Sequence, residues 1–136
     1  MKDKRLPGKI YDGFKVVRSF VHFNEYNKLT GNPQIVSCFA FSGRVSYFIN
    51  LWSTPLKGLG PLAVFTSFGD ALGFKSKQFS HLNTGEFVIY ACKYRKSKFK
   101  QLWYNMAGLH RTYLPENELP QGTDFADAVM ITEEVK

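Results

Sequence analysis

The sequence predicts an α+β domain, a mixed and mainly antiparallel twisted sheet of five to seven strands carrying one or two short helices. Three observations carry this expectation. Most apolar runs are short and alternate with a period of two, which is strand spacing. The chain is rich in bulky rings, with thirteen Phe and seven Tyr, and rings favour half-buried pleated surfaces. Only two stretches place apolar residues at helical spacing. At 136 residues the chain is long enough for one hydrophobic core and too short for two.

Residues 1–8 read as a flexible basic tail closed by Pro7-Gly8, and residues 9–136 as a single globular domain. Lys9 to Phe23 reads as a long strand, with Phe14, Val16, Arg18, Phe20 and His22 on one face and Val17, Val21 and Phe23 on the other. Polar residues 24–33 form a loop. The runs Gln34 to Phe41 and Arg44 to Trp52, joined by Ser42-Gly43, predict a hairpin. In its second arm Val45, Tyr47, Ile49 and Leu51 point inward, and Ser46, Phe48 and Asn50 outward.

After a Pro/Gly-rich connection (residues 53–61), Leu62 to Thr66 is a short buried strand. Ser67 is placed to cap a helix, with Asp70 three residues on, and the helix runs to about Gln78 with Phe68, Ala71 and Leu72 on its apolar stripe. Asn83-Thr84-Gly85 is a turn. Glu86 to Arg95 is apolar on both faces, so it belongs at the centre of the sheet. Ser97 to Gly108 fits a short helix through Phe99, Leu102, Trp103 and Met106, although Lys98 and Lys100 sit at the wrong end of its dipole. Leu114 to Thr123 reads as a loop, and Ala126 to Glu134 as a last strand.

Formal net charge is +7, and the sign is uneven. Between Lys75 and Arg111 lie eight cations with Glu86 the single acid; beyond Arg111, six acids face Lys136. A basic body attracts polyanions such as nucleic acid, nucleotides or acidic lipid, although the same charge also keeps a ring-rich domain soluble. Cys38 and Cys92 lie inside apolar runs without ligand spacing and read as small buried hydrophobes, a disulfide between them being the less favoured pairing. With no signal peptide, no N-x-S/T sequon and no apolar run near the ~20 residues of a membrane span, the expectation is a cytoplasmic protein with no membrane partner.

No phosphate-cradle, dinucleotide, nucleophile-elbow or zinc signature occurs, so no metal or cofactor is expected. Gly58 and Gly60 precede a strand rather than a helix and read as loop punctuation. His22, His81 and His110 are scattered and read as structural.

The positive signal is an interleaving of cations and rings: Lys93-Tyr94-Arg95-Lys96, Lys98-Phe99-Lys100, Trp103-Tyr104 and His110-Arg111-Thr112-Tyr113. Cations neutralise phosphates and flat rings stack on bases. The expected ligand-binding set is Lys93, Arg95, Lys98 and Lys100 for phosphate attraction, Tyr94, Trp103 and Tyr104 for stacking, and Arg18 and Arg111 as hydrogen-bonding forks. The bland alternative makes Phe99 and Trp103 core and the lysines a solvated rim. Arg18 stands on an apolar face, where it pairs with a carboxylate such as Asp70 or Glu86, points at a bound anion, or emerges at an edge.

On Phe14-Lys15-Val16-Val17-Arg18, Ser37-Cys38-Phe39, Tyr47 to Pro55, Gly60 to Phe65 with Ala71 and Phe74, and Leu119-Pro120-Gln121-Gly122-Thr123 to Val129, the chain resembles small single-domain proteins of phages and bacteria. That resemblance implies a phage-type accessory or counter-defence role. The chain is also similar, more faintly, to the ADP-ribosyltransferase fold. That similarity implies an NAD-using enzyme with Arg18 in the first position, Ser46 or Tyr47 in the second and Glu133 or Glu134 in the third. The S-T-S triplet and E/Q-x-E of that fold are missing here. The reading favoured by the residues is a non-enzymatic domain that binds an anionic, base-containing ligand, either nucleic acid or a free or cyclic nucleotide. The alternatives are the NAD-using enzyme and a protein-interaction module built on ring hot spots. A ring-rich sheet face can also pair with its own copy, giving a homo-oligomer.

Overall fold

The computed structural model describes residues 9–20, 34–37, 45–56, 60–79, 87–99, 101–106, 110–115 and 119–135. The basic tail, the 24–33 loop, Cys38, the Ser42-Gly43 link and the Asn83-Thr84-Gly85 turn lie outside them.

The elements run β1 (Ile10–Phe20), β2 (Gln34–Ser37), β3 (Trp52–Ser53), β4 (Leu62–Phe65), α1 (Phe68–Phe79), β5 (Phe87–Lys96), β6 (Gln101–Met106), β7 (His110–Pro115) and β8 (Thr123–Val135). Six strands form one sheet ordered β2-β1-β4-β8-β3, with β5 pairing both β1 and β8. All described pairings are antiparallel. The fold is therefore α+β, a mainly antiparallel sheet with one described helix, as expected.

Because β1 pairs β5, β5 pairs β8, β8 pairs β4 and β4 returns to β1 through Phe14 and Phe65, the strands close on themselves. The inner face packs Val17, Val64, Tyr90, Cys92, Tyr94, Val129 and Ile131 against Tyr47, Leu62 and Ala126. Ala126 and Val129 are an odd number of residues apart yet share this core, because the β5–β8 register shifts between Arg95 and Lys96. Gly13 is where the closure is tightest. A Cβ there would come within 2.8 Å of the Tyr94 ring and 2.9 Å of the Phe65 carbonyl.

The outer face of β1 and β5 is apolar too, and α1 covers it. Ala71 packs with Val16, Phe65, Phe87 and Ile89, flanked by Phe14, Phe68 and Phe74. Rings interlock across this layer, Phe14 with Phe68 at 5.9 Å and Phe65 with Phe74 at 5.2 Å. Ser67 caps the helix as expected: its Oγ accepts from the Asp70 N–H at 3.1 Å and donates to the Asp70 carboxylate at 3.0 Å. Leu72, expected on the apolar stripe, is exposed, and Phe74 takes that place.

Two further expectations are corrected. Residues 101–106 are a strand, not part of a helix. β6 pairs β7 from Gln101 opposite Pro115 to Met106 opposite His110, in a sheet of its own. The helical spacing of Phe99, Leu102, Trp103 and Met106 was incidental. Ring-rich Leu102-Trp103-Tyr104 and Thr112-Tyr113-Leu114, with Gly108 between them, carry hairpin composition, and strand pairing avoids setting Lys98 and Lys100 at the positive end of a helix dipole. Likewise β7 takes up the start of the loop expected at residues 114–123, and β8 begins at Thr123 rather than Ala126.

In the hairpin's second arm, Ser37 and Ile35 of β2 bond to Val45 and Tyr47, and Tyr47 is buried. Inward alternation then stops. The Leu51 N–H donates to the Phe48 carbonyl at 3.0 Å and Asn50 takes φ 67°, the left-handed corner that Asn tolerates. This turn leaves Ile49 and Leu51 exposed, not inward.

Candidate binding surface

Two-residue alternation along β5 divides the expected ligand-binding set. Tyr94 belongs to the inner face with Tyr90 and Cys92. It is 3% exposed, and its hydroxyl donates to Asp124 Oδ2 at 2.7 Å. Tyr94 is thus a core ring and not a stacking platform, because a strand closed into a ring presents only one face to solvent. Arg95 points the other way but is also buried, its guanidinium 5.3 Å from the centroid of the Trp52 ring. The Trp52 ring, not solvent, lies over the fork expected of it.

Lys93 is exposed and bonds Asp12 at 2.7 Å, a pair wet enough to exchange partners readily. Lys98 is exposed. Lys100 lies outside the described residues. Trp103 and Tyr104 are neighbours on β6, and Arg111 stands opposite Asn105 on β7. His110 is also on β7, whereas His22 and His81 lie outside the described residues. Arg18 is half-buried on the helix-side face of β1, its guanidinium 6.0 Å from the Phe87 ring centroid.

Of the site residues implied by the ADP-ribosyltransferase likeness, Arg18, Tyr47 and Glu133 do not converge. Arg18 projects to the α1 side, and Tyr47 packs inside the strand ring. In register, Arg18 faces Phe87 whereas Glu133 faces Ala91, which separates them by roughly 13 Å along the strands.

Sequence reasoning passed over the groups that complete this end of the molecule. The Lys96 N–H bonds to the Lys9 carbonyl at 3.3 Å, and Tyr11 stands opposite Tyr94. The start of β1 and the end of β5 therefore form a single edge. At this end Lys9, Lys96 and Lys98 are exposed, together with the rings of Tyr11 and Phe99 at 42% and 44%, while Lys93, exposed too, lies with Asp12 and Arg95 on the face opposite Tyr11 and Lys96. Among the described residues the acids nearby are Asp12, Asp124 and Asp127. Tyr11 drew no notice because it precedes the apolar part of its strand, and Phe99, though part of the cation–ring interleaving, stayed out of the binding set because it fitted a helical stripe.

Beneath the edge, Asp124 collects polar contacts. Both its oxygens lie 2.9 Å from Lys96 Nζ, and Oδ1 also accepts the Phe125 N–H at 2.9 Å. Burial alone would raise this carboxyl. The hydrogen bonds from Lys96 and Tyr94 outweigh it, and Asp124 lies below the usual carboxylate range. Burial and the bond to Asp124 push the Tyr94 hydroxyl up. Burial pushes the free Cys92 thiol up to about 12, opposed by the charge of Lys15.

Lys15 itself is the least expected interior group. It shares the inner face, donating to the Ala63 carbonyl at 2.5 Å with its ammonium 5.6 Å from the Tyr47 ring centroid. Among the described residues no group of three or more His, Cys, Asp or Glu side chains is placed to hold a metal ion. No protein-family model, curated protein or solved structure matches the chain.

Proposed function

We propose that this chain is a non-enzymatic binding domain for single-stranded nucleic acid, held along the edge where β1 begins and β5 ends. One observation carries the reading: four exposed lysines and two exposed rings, Tyr11 and Phe99, gather at that end of the sheet, with Lys93 on the face opposite Lys9, Tyr11 and Lys96. Lysines spaced along strand ends match a run of phosphates, and rings at the surface match the flat faces of successive bases. An edge of this kind suits a polymer laid across it better than a single nucleotide, which needs a concave site that encloses most of its surface. Lys93 is already paired with Asp12, so phosphate binding exchanges one anion for another and gains less than a free lysine would. Trp103, Tyr104 and Arg111, on the hairpin that follows Phe99, extend the same reading. A phage-type accessory role is compatible with it.

The test is titration of labelled single-stranded RNA, single-stranded DNA and cyclic dinucleotides at two ionic strengths. Affinity for a single strand should fall steeply with salt. Tyr11→Ala should weaken it by about tenfold, from the ~1–3 kcal/mol that a stacked base contributes, and Lys93→Glu with Lys98→Glu should weaken it and flatten the salt dependence. An absence of binding at low salt, or preference for the cyclic dinucleotide, ends this reading.

A further inference from the structure

A turn is normally polar, and the turn Phe48–Leu51 is not. The Leu51 N–H bonds back to the Phe48 carbonyl, and the Asn50 N–H donates to the Ile131 carbonyl of β8 at 2.8 Å. On this fixed frame Phe48 is 62%, Ile49 48% and Leu51 59% exposed. An ordered tip made of large apolar side chains loses free energy in water and marks a contact surface. The charges beside it are acidic. β3 runs antiparallel to β8 with Trp52 opposite Met130, so the residues before Trp52 run toward the end of β8. There Glu133 and Glu134, just beyond the Ile131 anchor, are both exposed.

The other end of the β5–β8 ladder is basic. Lys96 stands opposite Ala126 there, and Lys9 and Lys98 are exposed beside the rings of Tyr11 and Phe99. The stretch of β8 from Ala126 to Glu133 sets the two ends roughly 20 Å apart. One molecule thus carries an acid-flanked apolar tip at one end and lysine-flanked rings at the other. We infer that the tip of one copy seats on the basic end of a second copy, giving head-to-tail self-association. Charge complementarity favours this occupant, because pairing like ends sets acids against acids or lysines against lysines. The tip offers on the order of 300 Å² of apolar area, well under the ~800 Å² that each partner buries in a stable complex. The contact is therefore weak and reversible, and the net charge of +7 opposes it at long range. Each contact leaves one free end of either kind, so the association propagates or closes into a ring. Among the described residues no helix is long and apolar enough to cross a membrane, and Glu133 and Glu134 repel anionic headgroups, which makes a lipid surface the poorer occupant. The basic end is also the proposed nucleic-acid surface, so a bound strand displaces the neighbouring copy, but self-association does not rest on that reading.

The experiment starts with carbodiimide coupling of an equal mixture of ordinary and heavy-nitrogen full chain, without nucleic acid. The reagent joins a carboxylate to an amine in contact, and the two ends of one copy are too far apart to be joined. Mass spectrometry should find mixed-isotope peptides linking Glu133 or Glu134 to Lys9 or Lys98. In sedimentation velocity the wild type should grow with concentration. The tip variant Phe48→Ser with Glu133→Lys and the base variant Lys9→Glu with Lys98→Glu should each associate about tenfold or more weakly. Mixed together, they should form a one-to-one pair and stop there, since each supplies the end that the other lacks. The inference is overturned if the wild type stays monomeric and yields no such links, even where it pellets with phosphatidylserine vesicles, for the tip then belongs to lipid. It is also overturned if the base variant associates as well as the wild type, since tip then meets tip, or if the tip variant does. Links confined to one isotope, or a mixture of variants that restores nothing, defeat it as well. Nucleic-acid binding is read by its own titration, so either can fail alone.

Discussion

Asp124 shows how one side chain can tie a surface to a core. It accepts bonds from a buried hydroxyl, a half-exposed ammonium and a backbone N–H, so its charged form is the one the fold stabilises. Its pKa is lower folded than unfolded. The resulting stability is present in full above the unfolded value near ~3.9 and is lost as pH falls through the lower, folded value. Asp124→Asn keeps the shape and removes the charge. Since the Lys96 side chain is 42% exposed, water screens part of the pair. The variant should therefore be less stable than the wild type by about 1–2 kcal/mol at neutral pH. Urea unfolding at neutral pH and below about pH 4 should show that gap narrowing in acid. A gap that stays constant would mean that the carboxylate charge is not its source.

Helix α1 is built from local and tertiary contributions that can be separated. Locally, the Ser67 hydroxyl oxygen accepts the Asp70 N–H at its start and the same hydroxyl donates to the Asp70 carboxylate. Tertiary burial comes through Ala71, which is fully buried against Val16 and Ile89. Ser67→Ala should cost about 1 kcal/mol in chemical denaturation. Leu72→Ala, on the same helix but exposed, should stay within about 0.5 kcal/mol of the wild type. Equal losses would indicate that the helix is held by its own propensity and not by the sheet. The cap was legible in the sequence because Ser67 and Asp70 are three residues apart and need no distant partner. The apolar stripe was legible only in part, since packing against the sheet decides whether Leu72 or Phe74 turns inward.

At the scale of the whole molecule, closure of the strands makes the interior one cooperative unit. β5 has both edges paired, to β1 and β8, and β8 reaches β3, β4 and β5. Ile131 is fully buried in that interior. Ile131→Ala should cost ~2–5 kcal/mol in a single transition whose denaturant slope matches the wild type. A biphasic curve would show that the ring of strands and the helix layer unfold separately. Closure also explains the fate of Tyr94 and Arg95. In an open sheet the alternation of β5 would offer one of them to solvent, whereas here the inner position is sealed and the outer one lies over Trp52.

What the amino-acid order settled unaided was what depends on neighbours along the chain. Period-two runs gave β1, β4, β5 and β8, a capping pair gave α1, and the double-sided apolar pattern of β5 marked it as central. Three things were decided only in three dimensions: which face of each strand is interior, that β1 meets both β4 and β5, and that Tyr11 and Phe99 join the lysines at one edge. The reason is physical. A strand's periodicity states that its faces differ, but burial depends on partners far away in sequence. A short ring-rich segment such as 101–106 satisfies helical and strand spacing alike until a second strand, His110 to Pro115, supplies its hydrogen bonds.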